Sequence, residues 1–265
     1  MKITDQLGNT ISLSGFPKKI ISIVPSQTEL LFDLGLEKEI IGITNFCIHP
    51  KDWQESKTKI GGTKKLDLKK IKELDPDIII GNKEENEKID IEELMDLYPV
   101  WMSDIKNLED AIGMIDSIGK ITGKENKALA IQNDIKEQFA HFKLALKNIS
   151  ILHKRAAYFI WRKPYIAAGA TTFIDHMLSI CGFENVFTKR SSRYPEITSE
   201  EIQKEYPEII FLSSEPFPFS KKHIEEFQKI CPQAKVVLVN GEMFSWYGSR
   251  LLYAPAYFER LLQNL

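Results

Sequence analysis

Four segments of this 265-residue chain concentrate large aromatic rings in turn-rich surroundings, and two of them add an arginine. Phe159-Ile160-Trp161-Arg162-Lys163-Pro164-Tyr165 leaves an apolar run and at once presents Trp161, Arg162 and Tyr165. Phe244-Ser245-Trp246-Tyr247-Gly248-Ser249-Arg250 presents Trp246, Tyr247 and Arg250 in the same way, and Glu215-Pro216-Phe217-Pro218-Phe219 is a third such loop. In the first half, Asn45-Phe46-Cys47-Ile48-His49-Pro50 and Trp53 follow a short apolar run. Rigid rings on loops give contact area at low entropic cost, and arginine adds charge-assisted bonds to carboxylates or phosphates. Any one ring of this kind also serves as satellite core under a flap. Several facing one cleft favour a binding site for a bulky, flat or chelate-like molecule.

Other chemistries find less support. Ser26 sits where a strand-to-helix nucleophile would, but Val24-Pro25-Ser26-Gln27-Thr28 lacks the glycines of G-x-S-x-G, so an N-cap role for Ser26 or Thr28 is expected instead. The histidines, His49, His141, His153, His176 and His223, lack the spacing that puts two imidazoles on one helical face, and no protein-only metal site is expected. Cys47, Cys181 and Cys231 are odd in number and far apart, which predicts buried free thiols. Gly61-Gly62-Thr63-Lys64-Lys65 fails the P-loop spacing and reads as a surface turn before an Asp67 N-cap.

The elements that position these residues follow one grammar. A Gly-Asn turn signal within Asp5-Gln6-Leu7-Gly8-Asn9-Thr10-Ile11 predicts a hairpin. Continuous apolar runs at 20–24, 40–43, 77–80, 99–102, 156–160, 208–212 and 236–239 predict buried strands of parallel sheets. Between them, helical spacing is read at 30–36, 68–74, 89–97, 172–181, 199–206 and 254–265. Residues 124–147 hold that period without proline for about 36 Å of rise, a strut between two lobes.

An internal repeat supports two related lobes. Leu66-Asp67-Leu68-Lys69-Lys70-Ile71-Lys72-Glu73-Leu74-Asp75-Pro76-Asp77-Ile78-Ile79-Ile80 aligns with Ile197-Thr198-Ser199-Glu200-Glu201-Ile202-Gln203-Lys204-Glu205-Tyr206-Pro207-Glu208-Ile209-Ile210-Phe211 in N-cap, apolar spacing, proline and strand. Leu30-Leu31-Phe32-Asp33-Leu34-Gly35-Leu36 likewise matches Met177 to Phe183. Lys and Arg number 35 against 37 Asp and Glu, a net charge of -2 that gives no global pull toward nucleic acid. The first nine residues contain no apolar stretch of signal-peptide length, so a cytoplasmic protein, or a mature form whose leader was removed, is expected.

At Ile21-Ser22-Ile23-Val24-Pro25-Ser26-Gln27-Thr28-Glu29-Leu30 with Leu34-Gly35, at Leu74-Asp75-Pro76-Asp77-Ile78-Ile79, at Gly182-Phe183-Glu184-Asn185-Val186-Phe187 and from Ile197 to Pro207, the chain resembles the substrate-binding proteins of ABC importers for vitamin B12, iron-siderophore and haem. The likeness spans nearly the whole chain and is nearest the cobalamin-binding branch. It implies an α/β fold of two Rossmann-like lobes, 1–123 and 150–265, joined by a single long backbone helix at 124–149, the class III substrate-binding arrangement. It further implies a monomer without catalysis or required cofactor, whose ligand is a cobalt- or iron-containing chelate bound in the interlobe cleft. By position, the ligand-facing residues are Phe46, Trp161, Tyr165, Tyr194, Phe217, Trp246, Tyr247 and Arg250. Glu200 matches a residue that docks on a permease arginine, whereas its first-lobe counterpart is Lys69, a reversed charge for which Glu73 or Glu84 substitutes. Such a protein works in the periplasm or anchored outside the membrane if a leader was removed. The alternatives are a two-lobed transferase acting on a nucleotide-linked substrate, and an interaction protein that keeps the fold without the ligand.

Overall fold

The computed structural model describes residues 1–147 and 153–265, and the chain divides into two compact units. The first comprises Met1–Ile105, Glu109–Ile135 and Tyr247–Arg250, and the second holds Lys106–Leu108, Lys136–Trp246 and Leu251–Leu265. The expected end of the backbone helix at 149 and the expected start of the second lobe at 150 lie outside the described residues.

The first unit opens with the antiparallel hairpin β1 (Lys2–Thr4) and β2 (Thr10–Ser12). Its turn is held by the Asp5 carboxylate, which accepts the Leu7 and Asn9 N–H groups at 2.9 and 2.7 Å. Then follow β3 (Ile20–Ser22), α1 (Pro25–Asp33), β4 (Ile40–Ile43), α2 (Lys51–Ser56), β5 (Thr58–Lys59), the hairpin of β6 (Gly61–Gly62) and β7 (Lys65–Leu66), α3 (Leu68–Leu74), β8 (Ile78–Asn82), α4 (Lys88–Met95), β9 (Val100–Ser103) and α5 (Leu108–Thr122). The sheet is parallel, in the order β5-β4-β3-β8-β9. Ile20, Ile21, Ile78, Ile79, Ile80 and Trp101 are fully buried, which is why these strands read as unbroken apolar runs. At Gly61, φ is +92° and an added Cβ would sit 2.5 Å from the Lys65 carbonyl, so the expected turn depends on this glycine.

The start of α1 differs from the expectation. Neither Ser26 nor Thr28 caps it: the N-cap is Val24, and Pro25 takes the first helical position, where its fixed φ and missing N–H suit the helix. Ser26, Gln27 and Thr28 therefore enter the first turn and are buried, so each needs an internal partner. Thr28 Oγ1 lies 3.0 Å from the Val24 carbonyl and 2.7 Å from Ser22 Oγ, and Gln27 Nε2 donates to Ser103 Oγ at 2.7 Å.

Gly123, at φ +67°, separates α5 from α6 (Glu125–Leu146), the long helix along which the chain passes from the first unit into the second. The second unit contains β10 (Arg155–Trp161), β11 (Tyr165–Ala167), α7 (Phe173–Ile180), β12 (Glu184–Asn185), β13 (Glu196–Ile197), α8 (Ser199–Glu205), β14 (Ile209–Ser213), α9 (Lys221–Ile230), β15 (Lys235–Val239), α10 (Glu242–Ser245) and α11 (Ala254–Gln263). Its sheet runs β13-β11-β10-β14-β15, with β12 also beside β10. This sheet is mixed rather than wholly parallel. β10 turns back at 162–164 straight into β11, and so short a link permits only antiparallel pairing.

The repeat is real at atomic detail. Asp67 caps α3 by accepting the Lys70 N–H at 3.0 Å, and Thr198 caps α8 in a capping box with Glu201. Both helices end in a left-handed residue, Asp75 and Tyr206, each at φ 50° just before the proline. All three cysteines are buried free thiols, as expected.

Candidate ligand-binding site

In the second unit, the parallel strands β10, β14 and β15 finish at the same end of the sheet; Trp161 ends β10, and Phe217 and Trp246 lie on the segments after β14 and β15. Trp161 is 39% exposed and meets Phe217 edge-on, with ring centroids 5.8 Å apart. Phe217 packs in turn against Phe219 at 4.8 Å and His223 at 5.4 Å. Below them Tyr165 lies 5.0 Å from Phe227 and donates its hydroxyl to Glu226, which also accepts Arg162 Nε at 2.9 and 3.2 Å. Burial opposes ionisation of Glu226, but the Tyr165 hydroxyl and the Arg162 guanidinium outweigh it and hold the carboxyl below its usual range. Burial and the Glu226 hydrogen bond push Tyr165 up to about 12, so its hydroxyl stays a donor. His223 is buried, which lowers its pKa, and its Nδ1 accepts the Ser220 N–H at 2.9 Å to cap α9.

Trp246 is placed differently. Only 6% exposed, it donates its indole N–H to Glu215 at 2.9 Å, and the same carboxylate accepts Ser245 Oγ at 2.7 Å. Tyr194 is half-buried just before β13, and its N–H is bonded to Ser192 Oγ at 3.2 Å.

In the first unit, Phe46 leaves β4 and is 60% exposed, its ring lying over Gly62, where an added Cβ would come within 3.0 Å of it. Trp53, by contrast, is core, edge-on to Phe32 at 5.3 Å. The chain returns to this unit for Tyr247–Arg250 and is strapped to α1. Gly248, at φ +156°, allows the strap so close that a Cβ would lie 2.9 Å from the Ser26 carbonyl. Arg250 closes the strap with a bidentate pair to Glu29, 2.6 and 2.9 Å, each side chain 13% exposed. Burial pushes the Glu29 carboxyl up, and Arg250 offsets this only in part.

The structure thus brings Trp161 against Phe217, links Tyr165 to them through Phe227 and Phe219, holds Trp246 on Glu215 two residues before Phe217, and seats Phe46, Tyr247 and Arg250 on the first unit. Sequence reasoning missed the carboxylates Glu29, Glu215 and Glu226 that fix these loops. No local pattern marks them, since Glu29 and Arg250 are 221 positions apart. Glu200 is exposed in the first turn of α8, where its own N–H and the Thr198 hydroxyl hold its carboxyl below the usual range. Lys69, at the same turn of α3, lies 3.9 Å from Glu73.

Two α/β units sharing one long helix, with rings at the strand ends and ion pairs that brace loops, are the build of a substrate-binding protein. A family model described as periplasmic binding protein matches residues 20–232, and the chain belongs to that family of non-enzymatic substrate-binding proteins. The transferase alternative falls with this assignment. The chain is 21% identical over 239 residues to a vitamin B12-binding protein of Pectobacterium carotovorum, covering 90% of this chain and 86% of the relative. Among solved structures, a periplasmic vitamin B12-binding protein of Vibrio cholerae superposes with a TM-score of 0.81 at 19% identity, over 94% of this chain and 99% of that one. A periplasmic haem-binding protein of Pseudomonas aeruginosa follows with 0.79 at 19% identity, over 93% and 92%. Among the described residues no helix is long and apolar enough to cross a membrane.

Proposed function

We propose that this protein binds a metal chelate, a corrinoid or a ferric siderophore, outside the cytoplasmic membrane and delivers it to an ABC permease. The observation that carries the reading is the exposed Trp161 ring braced edge-on by Phe217 at the strand ends. A rigid scaffold holding an uncommitted ring there is suited to a large, flat ligand. Phe46 offers a second exposed ring, with Tyr165 and Tyr194 at the margins. The Trp246 N–H and the Arg250 fork are already engaged, by Glu215 and Glu29, so Trp246 and Arg250 serve the binding loops by bracing them. On α8, Glu200 is the permease contact. The likeness of this chain to vitamin B12-binding proteins supports a corrinoid first.

Tryptophan fluorescence titrated with cyanocobalamin, dicyanocobinamide, haemin and a ferric siderophore tests this. Saturable quenching by one chelate, lost in Trp161→Ala, is the expected result. No quenching by any of them overturns the proposal.

A further inference from the structure

An exposed ring binds well only when its loop is already in place, and the support under Phe46 is slight. Its ring lies over Gly62 in the β6–β7 hairpin, whose two-residue strands pair with one another in a two-stranded sheet of their own. So short a ribbon is marginal in water unless something else holds it. Its base is tied down by main chain: the Asn45 N–H donates to the Gly61 carbonyl at 2.8 Å, and the Asp67 N–H donates to that of Ile60 at 2.9 Å. The tip, Thr63-Lys64, lies beyond those bonds.

Asn86, between β8 and α4 and only 5% exposed, reaches that tip. Its side-chain Nδ2 donates to two carbonyls on other loops, Thr63 at the tip at 3.1 Å and Ile23 just past β3 at 3.2 Å. Its Oδ1 accepts the Asn82 N–H at 2.9 Å, and its own N–H returns to the Asn82 carbonyl at 3.2 Å. Asn82, also buried, folds the same loop by accepting the Glu84 and Glu85 N–H groups at 2.8 and 3.2 Å. Gly81 keeps the space open, because a Cβ there would stand 2.9 Å from Asn86 Oδ1. One buried amide thus joins the loops after β3 and β8 to the turn beneath Phe46. Lys64 donates to the Glu84 carbonyl at 2.6 Å and lies 3.6 Å from Glu87, but on the open surface such contacts hold little.

We infer that Asn86 is a positioning residue for ligand binding: it fixes the β6–β7 turn, and through that turn the seat of the Phe46 ring. This rests on the reading of Phe46 as a ring that meets the chelate. Without the Nδ2 donor the tip carbonyl turns to water, the hairpin loosens, and Phe46 must be ordered anew by each ligand.

Two readouts test this, one with ligand and one without. In isothermal titration with dicyanocobinamide, Asn86→Ala should lower affinity about fivefold, as Phe46→Ala does, and the double variant should bind no more weakly than Phe46→Ala alone. Fluorine NMR of the ligand-free chain labelled with 4-fluorophenylalanine, its Phe46 signal assigned by loss in Phe46→Leu, should show that signal shifted in Asn86→Ala. Asn86→Asp keeps the size and the Oδ1 acceptor but sets an oxygen against two carbonyls, so it should give the same two changes if the alanine variant does not fold. Unchanged affinity, losses that multiply in the double variant, or an unmoved Phe46 signal overturns the positioning role. If the signal moves but the parent chain binds no cobinamide, the chelate reading falls and takes the ligand role with it, while the tie between Asn86 and Phe46 stands.

Discussion

The loops at the strand ends are organised differently in the two units. In the second, rings gather at the strand ends: Trp161 packs on Phe217, Tyr165 and Arg162 are tied to Glu226, and Trp246 is hung from Glu215. In the first, a single exposed ring, Phe46, accompanies a strap whose arginine is clamped to α1. Both units use carboxylates to fix loops. They differ in what those loops display, rings in one and mostly polar groups in the other. On the proposed reading, the rings of the second unit carry most of the recognition.

If that division is right, Arg250→Ala should cost the most stability of any change at these loops, about 3 kcal/mol, because it leaves the largely buried Glu29 carboxyl without its counter-ion. Urea unfolding measures this, and a loss under 1 kcal/mol would show the strap to be dispensable. For binding, Trp161→Ala should lower affinity about 30-fold (about 2 kcal/mol) and Phe46→Ala only about fivefold (about 1 kcal/mol). The reverse ranking, read in one titration series, would move recognition to the first unit.

The units should also answer pH with opposite sign. His223 has a native pKa below its ordinary 6.5, so the stability of its neutral cap is present above 6.5 and is lost as pH falls toward the native value. Glu29 has a native pKa above its ordinary 4.5, so its contribution is complete below 4.5 and is lost as pH rises through the native value. Stability curves of His223→Gln and Glu29→Gln, each compared with the parent, should remove one slope each. Curves that change in the same direction would break the contrast. The smallest effect is expected at the paired helices: Glu200→Ala should weaken permease association a few-fold and Lys69→Ala should leave it unchanged, as measured in proteoliposomes.

Much of this architecture was legible because parallel strands covered on both faces must be continuously apolar, as at Ile78-Ile79-Ile80 and Ile209-Ile210-Phe211. The repeat was legible because its caps and prolines are local chemistry, down to the left-handed Asp75 and Tyr206. The opening of α1 was misread because Ser26 and Thr28 look like caps, and only the buried partners Ser22 for Thr28 and Ser103 for Gln27 show this segment to be the first turn. The mixed sheet was missed because β11 is three residues long and its pairing is set by a turn. At the site, ring-rich loops could be located from sequence, but exposure could not: Trp161 and Trp246 sit in similar segments, and one is open while the other is bonded to Glu215.

The central claim is that the rings of the second unit hold a chelate. Isothermal titration of the parent chain and of Trp161→Ala with dicyanocobinamide tests it most directly. Saturable one-to-one binding by the parent, weakened about 30-fold in the variant, is predicted. Absence of heat with the parent, or identical isotherms for both chains, would contradict it.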